Sequence, residues 1–282
     1  MALRVFTNAQ GRLRSGWWLV IFLVVLVAFL APLIVLAAAR EQSVPIWQQA
    51  CALFAASMTC QILRRRPMTE MLGAFDQRWL IGLGAGLGLG FAVMAAPAAL
   101  LAAFGAVTFQ INALNGAVLA DLFGIFVAVA ITEELMFRGF AFQRLLDGLG
   151  LWPAQMIGAF FFVLTHSDAL REAGTLGVIG AINIFVASLM FGFAFVRTRS
   201  LALPIGIHLA ANFTQGALLG FGVSGSDAQG WLSPVFRGPD WLTGGAFGLE
   251  ASMPGLVCVI VLTVALMRWR GLSASAPAAA VS

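Results

Sequence analysis

Charge is scarce in this sequence. Only 10% of its 282 residues are Asp, Glu, Lys or Arg, against about 25% in an ordinary soluble domain, which excludes a soluble globule. Lysine is absent, so all 16 basic residues are arginine. They are dispersed near the ends of apolar runs, so the net charge of +4 does not point to a nucleic-acid partner. Cys51, Cys60 and Cys258 lie inside apolar runs without CxxC spacing and read as packing residues, silent on redox compartment. There is no internal repeat and no HExxH. Only two histidines occur, His166 and His208.

What the chain has instead is long apolar runs, which indicate transmembrane helices when they reach about 20 residues. Eight are expected, at about 17–39, 44–63, 79–105, 117–138, 153–168, 176–196, 201–221 and 252–268. The fold expected is an all-α, polytopic transmembrane bundle. A basic lead (1–16) precedes the membrane domain (17–270), and a low-complexity tail (271–282, with SASAPAAAVS) reads as disordered. The first run, Trp17 to Ala39, is 23 residues long, beyond the ~7–15 of a signal-peptide core, so it reads as an uncleaved span. Thirteen arginines, including Arg138, fall on one side of such a bundle, and only Arg40, Arg171 and Arg237 on the other. The excess marks the cytoplasmic side. Both termini are therefore expected inside, in a bacterial inner membrane, with membrane lipids as the surroundings.

The run GLGAGLGLG (82–90) resembles a nucleotide loop, but it lies within a span. Gly82, Gly86 and Gly90 recur every fourth residue, the spacing that lets membrane helices approach closely. Packing is the better reading.

Three polar clusters interrupt the apolar runs: EELMFR (133–138), FVLTH (162–166) and HLAAN (208–212). Ionisable groups inside spans cost about 2.5–3.5 kcal/mol each on insertion scales, and a functional site is the default reading. Residues four apart share a helix face, which pairs Phe162 with His166 and His208 with Asn212. A local ion pair at i,i+4 accounts for Glu134 and Arg138, with Arg138 snorkelling to the headgroups. It leaves Glu133 over, about 100° round the helix, as a candidate general base.

Taken together, Glu133-Glu134-xxx-Arg138, Phe162-xxx-His166 and His208-xxx-Asn212 resemble the motifs of the CAAX protease and bacteriocin-processing family of intramembrane proteases. That family includes the type II prenyl-protein endopeptidase. The resemblance covers roughly 117–221 and implies an endopeptidase acting on a membrane-anchored or lipidated peptide. It implies that Glu133 deprotonates the attacking water and that His166 holds or polarises that water. It further implies that Glu134 and Arg138 orient the cluster, while His208 and Asn212 donate to the oxyanion. Glu133, His166 and His208 also offer a two-histidine, one-carboxylate set of the kind that binds catalytic zinc. A glutamate-only mechanism and a zinc mechanism both stay open, with the first preferred.

Other classes fit less well. GVSG (222–225) spells a rhomboid-like motif around Ser224, but no later histidine could partner it. An aspartyl protease needs two intramembrane aspartates and a GxGD motif, and only Asp121 lies in a span. A non-catalytic scaffold of the same fold is the main alternative. A transporter using Asp121, Asn183, His208 and Asn212 lacks the repeated halves expected of one. Glu133 and His208 are expected near the cytoplasmic face, with substrate arriving from that face or from the bilayer. Counted from Trp152, His166 falls too deep for this arrangement.

Overall fold

Residues 3–7, 11–113, 116–227 and 229–271 are described in a computed structural model of the chain. The tail SASAPAAAVS lies outside the described residues. The basic lead carries a single turn, α1 (Leu3–Phe6), ahead of α2 (Ser15–Ala38) and α3 (Ile46–Leu63). A short α4 (Thr69–Leu72) precedes α5 (Gln77–Ala103), which starts where the Asp76 carboxylate accepts from Trp79 N at 3.0 Å, an N-cap. Next come α6 (Gly116–Phe137), α7 (Phe140–Leu149), α8 (Leu151–Leu164) and α9 (Ser167–Glu172). After these, α10 (Leu176–Thr198) and α11 (Ala202–Asn212) run on, and a π-helical turn, Phe213–Leu218, continues α11. A one-turn α12 (Asp240–Thr243) precedes α13 (Met253–Arg268), which the Ser252 hydroxyl caps by accepting from Gly255 N at 3.0 Å.

The chain is mostly helical, and eight of these helices coincide with the eight apolar runs to within four residues, α11 with its π turn counted as one. Among the described residues, four segments are long and apolar enough to cross a membrane: Ser15–Ala38, Thr69–Ala103, Gly116–Leu149 and Leu176–Thr198. Helices α8 and α13 are shorter and apolar.

An all-α reading misses one feature. Val107–Ile111 (β1) pairs antiparallel with Leu232–Phe236 (β2), in a register that sets Val107 opposite Phe236 and Ile111 opposite Leu232. Each strand has only five residues, and the partners lie far apart in sequence, so no local turn announces the pairing. The sheet ties the connection after α5 to the long connection before α13.

Helices α5 and α11 pack closest, and the glycine spacing is the reason. A Cβ on Gly86 would lie 2.9 Å from Gly206 Cα and Ile207 N, and one on Gly90 would lie 2.9 Å from Ala210 Cβ. Backbones at this distance leave no room for a side chain, and the small-residue face read from the sequence is the contact face. Its consequence is positional: α11 carries His208, so the seam with α5 fixes where that ring sits.

The second determinant is the break between α6 and α7. The two helices form one apolar segment, Gly116–Leu149, interrupted at Arg138 and Gly139. The carbonyl freed at the break is not left unpaired, because Gln143 Nε2 donates to Arg138 O at 3.2 Å and to Met71 O at 3.1 Å. The helix expected to end at 138 ends at Phe137, and α7 carries the apolar segment on to Leu149. The motif residues lie inside the bundle rather than at its arginine-rich edge.

Two helix lengths set the depth. One end of the bundle gathers Arg64, Arg66 and Arg144 around Glu70, with Arg197 donating to the last carbonyls of α13. Thr132 Oγ1 lies 3.3 Å from Ile46 O, the start of α3, which at about 1.5 Å per residue is roughly 25 Å from Arg64. His166 follows the end of α8, about 22 Å from Leu151. The expectation that Glu133 sits near the arginine-rich face is overturned. The difficulty with the depth of His166 disappears for the same reason. His208 lies six residues into α11, whose first residue, Ala202, packs against Gly82, more than a turn into α5. Leu201 N donates to Leu72 O at 3.1 Å, next to the Met71 carbonyl that Gln143 holds.

Candidate active site

Glu134 is wholly buried and sits between two cations or donors. Its Oε1 lies 3.2 Å from Arg138 Nη1 and 2.9 Å from His208 Nδ1. Arg138 is 1% exposed, so it does not snorkel and does not belong to the basic face. Its Nη2 donates to Ser188 O at 2.9 Å and to Ser188 Oγ at 2.8 Å. The guanidinium is boxed by rings, with Cζ 5.1 Å from the Phe162 centroid, 5.0 Å from Phe191 and 5.8 Å from Phe137. Desolvating an arginine is costly unless its donors are matched, and cation–π contact offsets part of that cost. Here the fork, the carboxylate and three aromatic faces do the matching.

His208 joins the two glutamates. Its Nδ1 points at Glu134, and its Nε2 lies 3.6 Å from Glu133 Oε2. The ring stacks on Phe191 with centroids 4.9 Å apart and planes 18° from parallel. Both ring nitrogens thus face carboxylates, Nδ1 within hydrogen-bond distance and Nε2 farther away. Glu133 differs from its neighbour in exposure: its side chain is 24% exposed, that of Glu134 0%. The accessible carboxylate is the one left over by the local ion-pair argument.

His166 lies past the end of α8, at the start of α9, so Phe162 and His166 do not share a regular helix. The change follows from Ser167 and Asp168, which open the next helix. The two rings still meet edge to face at 4.9 Å. His166 Nδ1 lies 2.8 Å from Phe162 O; a carbonyl only accepts, so Nδ1 carries the hydrogen and Nε2 of the neutral ring is the acceptor.

These side chains line one cavity of about 390 Å³, which includes Glu133, Phe162, His166, Asn183, His208 and Asn212. All three motifs therefore reach the same space, Glu134 and Arg138 standing behind its wall. The far lining comes from Ser224, Ser226, Asp227, Gln229 and Glu250, on the connection opposite the arginine-rich end. Ser226, Asp227 and Gln229 are exposed, so the cavity opens there. Ile125 both lines the cavity and is exposed, which marks a second opening through the α6 wall. The expected approach from the arginine-rich face is therefore corrected, while a lateral approach keeps its opening.

Ser224 Oγ donates to Glu250 Oε2 at 2.9 Å, and Ser224 N to the same oxygen at 2.7 Å. Its partner is a carboxylate rather than an imidazole, unlike that of a serine-protease nucleophile. Asp121, considered with Asn183, His208 and Asn212 for a transport path, does not line the cavity. Among the described residues, no three His, Cys, Asp or Glu side chains converge as a metal site; Glu133, His166 and His208 share the cavity without forming a ligand set.

Sequence reasoning overlooked Ser188 and Phe191, which brace Arg138 and His208, because neither stands out in an apolar run. It noticed Asn183 only as a transport residue, although an amide inside an apolar helix is a visible signal.

Residues 115–214 match a family model described as type II CAAX prenyl endopeptidase Rce1-like. No curated protein and no solved structure matches the chain. All seven motif residues fall in the matched segment, so the resemblance drawn from them is found again by an independent comparison.

Proposed function

We propose that this chain is an intramembrane endopeptidase of the CAAX type, with Glu133 as the general base. The observation that carries the reading is the division of labour between adjacent carboxylates. Glu134 is buried and engaged by Arg138 and His208, whereas Glu133 faces the cavity and is in reach of water.

In this reading Glu133 takes a proton from a water that attacks the scissile carbonyl, and later returns it to the leaving amine. His166 Nε2 accepts the second hydrogen of the same water and so aims it. Asn212 donates to the oxyanion; preorganised donors of this kind are worth about 2.7–4 kcal/mol. His208 positions Glu133 relative to the rigid Glu134–Arg138–Ser188 unit rather than donating to the oxyanion. The residues present supply a base, a water acceptor and an oxyanion donor.

The eight helices and the arginine distribution support a topology of eight crossings with both termini cytoplasmic. The cavity mouth at Ser226 and Asp227 then faces away from the cytoplasm, and the α6 opening faces lipid. The substrate is a peptide held at the membrane by an apolar or lipid anchor.

The test is cleavage of a membrane-anchored reporter peptide by purified protein in vesicles, beside Glu133→Gln. Cleavage by wild type and loss in a normally folded variant support the proposal. Equal cleavage by both would remove Glu133 from its role, and no cleavage by wild type would favour a non-catalytic scaffold.

A further inference from the structure

Asn183 lies on α10 and is 2% exposed. Its Nδ2 is buried with no hydrogen-bond partner, and the residue lines the cavity that holds Glu133 and His166. Other polar side chains on or against α10 are engaged: Ser188 with Arg138, Gln155 with Leu189 O, Thr263 with Val259 O. A polar residue kept for helix packing makes a bond of this kind across or along helices. Asn183 does not, although leaving a buried donor unmatched is costly.

We propose that Asn183 is a substrate-positioning residue, its side-chain amide donating a hydrogen bond to a backbone carbonyl of the bound peptide. The inference rests on the endopeptidase reading above. The chemistry of the ligand follows from the orphan group. An N–H donor in an apolar wall calls for an uncharged acceptor, and the acceptor that every peptide carries is the carbonyl oxygen. The contact therefore holds the chain without reading its side chains. Asn183 comes from α10 and Asn212 from α11, so the peptide is gripped by an amide from each of two adjacent helices.

The structural and functional roles of such a residue predict opposite signs. A structural asparagine stabilises the folded protein, and Asn183→Leu would then lower Tm. A donor held unmatched for a substrate destabilises the empty protein, so Asn183→Leu leaves Tm equal or raises it.

The experiment measures kcat, KM and Tm for wild type, Asn183→Leu and Asn183→Asp in vesicles with one anchored reporter peptide. The expected result for Asn183→Leu is a KM raised roughly ten-fold, the size of one neutral hydrogen bond, with kcat changed less than about three-fold and Tm not lowered. Asn183→Asp sets lone pairs against the carbonyl and raises KM further. If the leucine variant fails to accumulate, Asn183→Ser, which keeps a shorter donor, is expected to raise KM less than the aspartate variant does. Unchanged KM in the variants, or a lowered Tm with unchanged KM, overturns the assignment and leaves the endopeptidase reading standing. Absence of cleavage by wild type overturns both.

Discussion

His208 Nδ1 lies 2.9 Å from Glu134 Oε1, and this contact joins the second helix of the cluster to the first. Through it, α11 is registered against α6, and Glu133 is held where the other ring nitrogen can face it. The first prediction concerns the glutamate pair. Glu133→Gln is expected to lower kcat by about 10²–10⁴-fold, the usual worth of a general base, while the folded yield stays near wild type. Glu134→Gln is expected to lose stability as well, because breaking one side of a buried ion pair costs about 3–5 kcal/mol. Cleavage rates and detergent-solubilised Tm for both variants check the contrast; a stable, active Glu134→Gln would contradict it.

Arg138→Lys is the second. Lysine keeps the charge but cannot span Glu134 and both oxygens of Ser188 with a planar fork, nor stack on three rings in the same way. Activity is expected to fall at least ten-fold and Tm to drop. Ser188→Ala removes one donor–acceptor contact and is expected to cost about 1.5–3 kcal/mol. Equal Tm for wild type and Arg138→Lys would show that the fork is dispensable.

A third prediction uses neighbouring glycines as each other's control. Nothing lies within 4 Å of a Cβ placed on Gly84, whereas one on Gly90 would meet Ala210 Cβ and Ala211 N at 2.9 Å. Gly84→Ala is expected to stabilise by up to about 1 kcal/mol through helix propensity. Gly90→Ala is expected to force α5 and α11 apart, shift His208 and reduce both Tm and cleavage. Parallel thermal melts and rate measurements test this, and matching behaviour of the two variants would sink it.

Orientation gives the fourth. In a cysteine-free background, Ser226→Cys is expected to react with a membrane-impermeant maleimide from outside intact cells, and Arg199→Cys only after permeabilisation. The reverse pattern would invert the bundle and place the cavity mouth in the cytoplasm.

The fifth concerns metal. Exhaustive chelation followed by removal of the chelator is expected to leave cleavage unchanged, measured beside elemental analysis of the active protein. One zinc per chain with reversible loss of turnover would replace the glutamate-only mechanism.

Eight helices were readable because each coincides with a long, mostly apolar run, and the α5–α11 seam because glycines repeat every fourth residue. The depth of the site was not. An arginine after an apolar run looks like an interface residue, and only Ser188, Phe162 and Phe191, distant in sequence, make its burial tolerable. The motif spacing showed which side chains cluster, since i,i+4 pairs survive on any helix. It did not show that α8 stops before His166, nor that β1 finds a partner beyond residue 230. Both depend on contacts with no local signature.

The π turn after Asn212 has a mechanical consequence. By leaving the regular ladder it frees Ala217 O, which accepts from Trp231 N at 2.7 Å, and it places Gln215 Nε2 2.6 Å from Gly222 O. The connection over the cavity is thus riveted to the same helix that carries His208 and Asn212. Lifting that roof would break main-chain bonds and disturb the site beneath it. The outer half of α6 meets the π turn through side-chain contacts such as the edge-to-face pair of Phe123 and Phe213, 5.7 Å apart. Of the two walls, the roof is tied by main-chain bonds and the outer half of α6 by side-chain contacts.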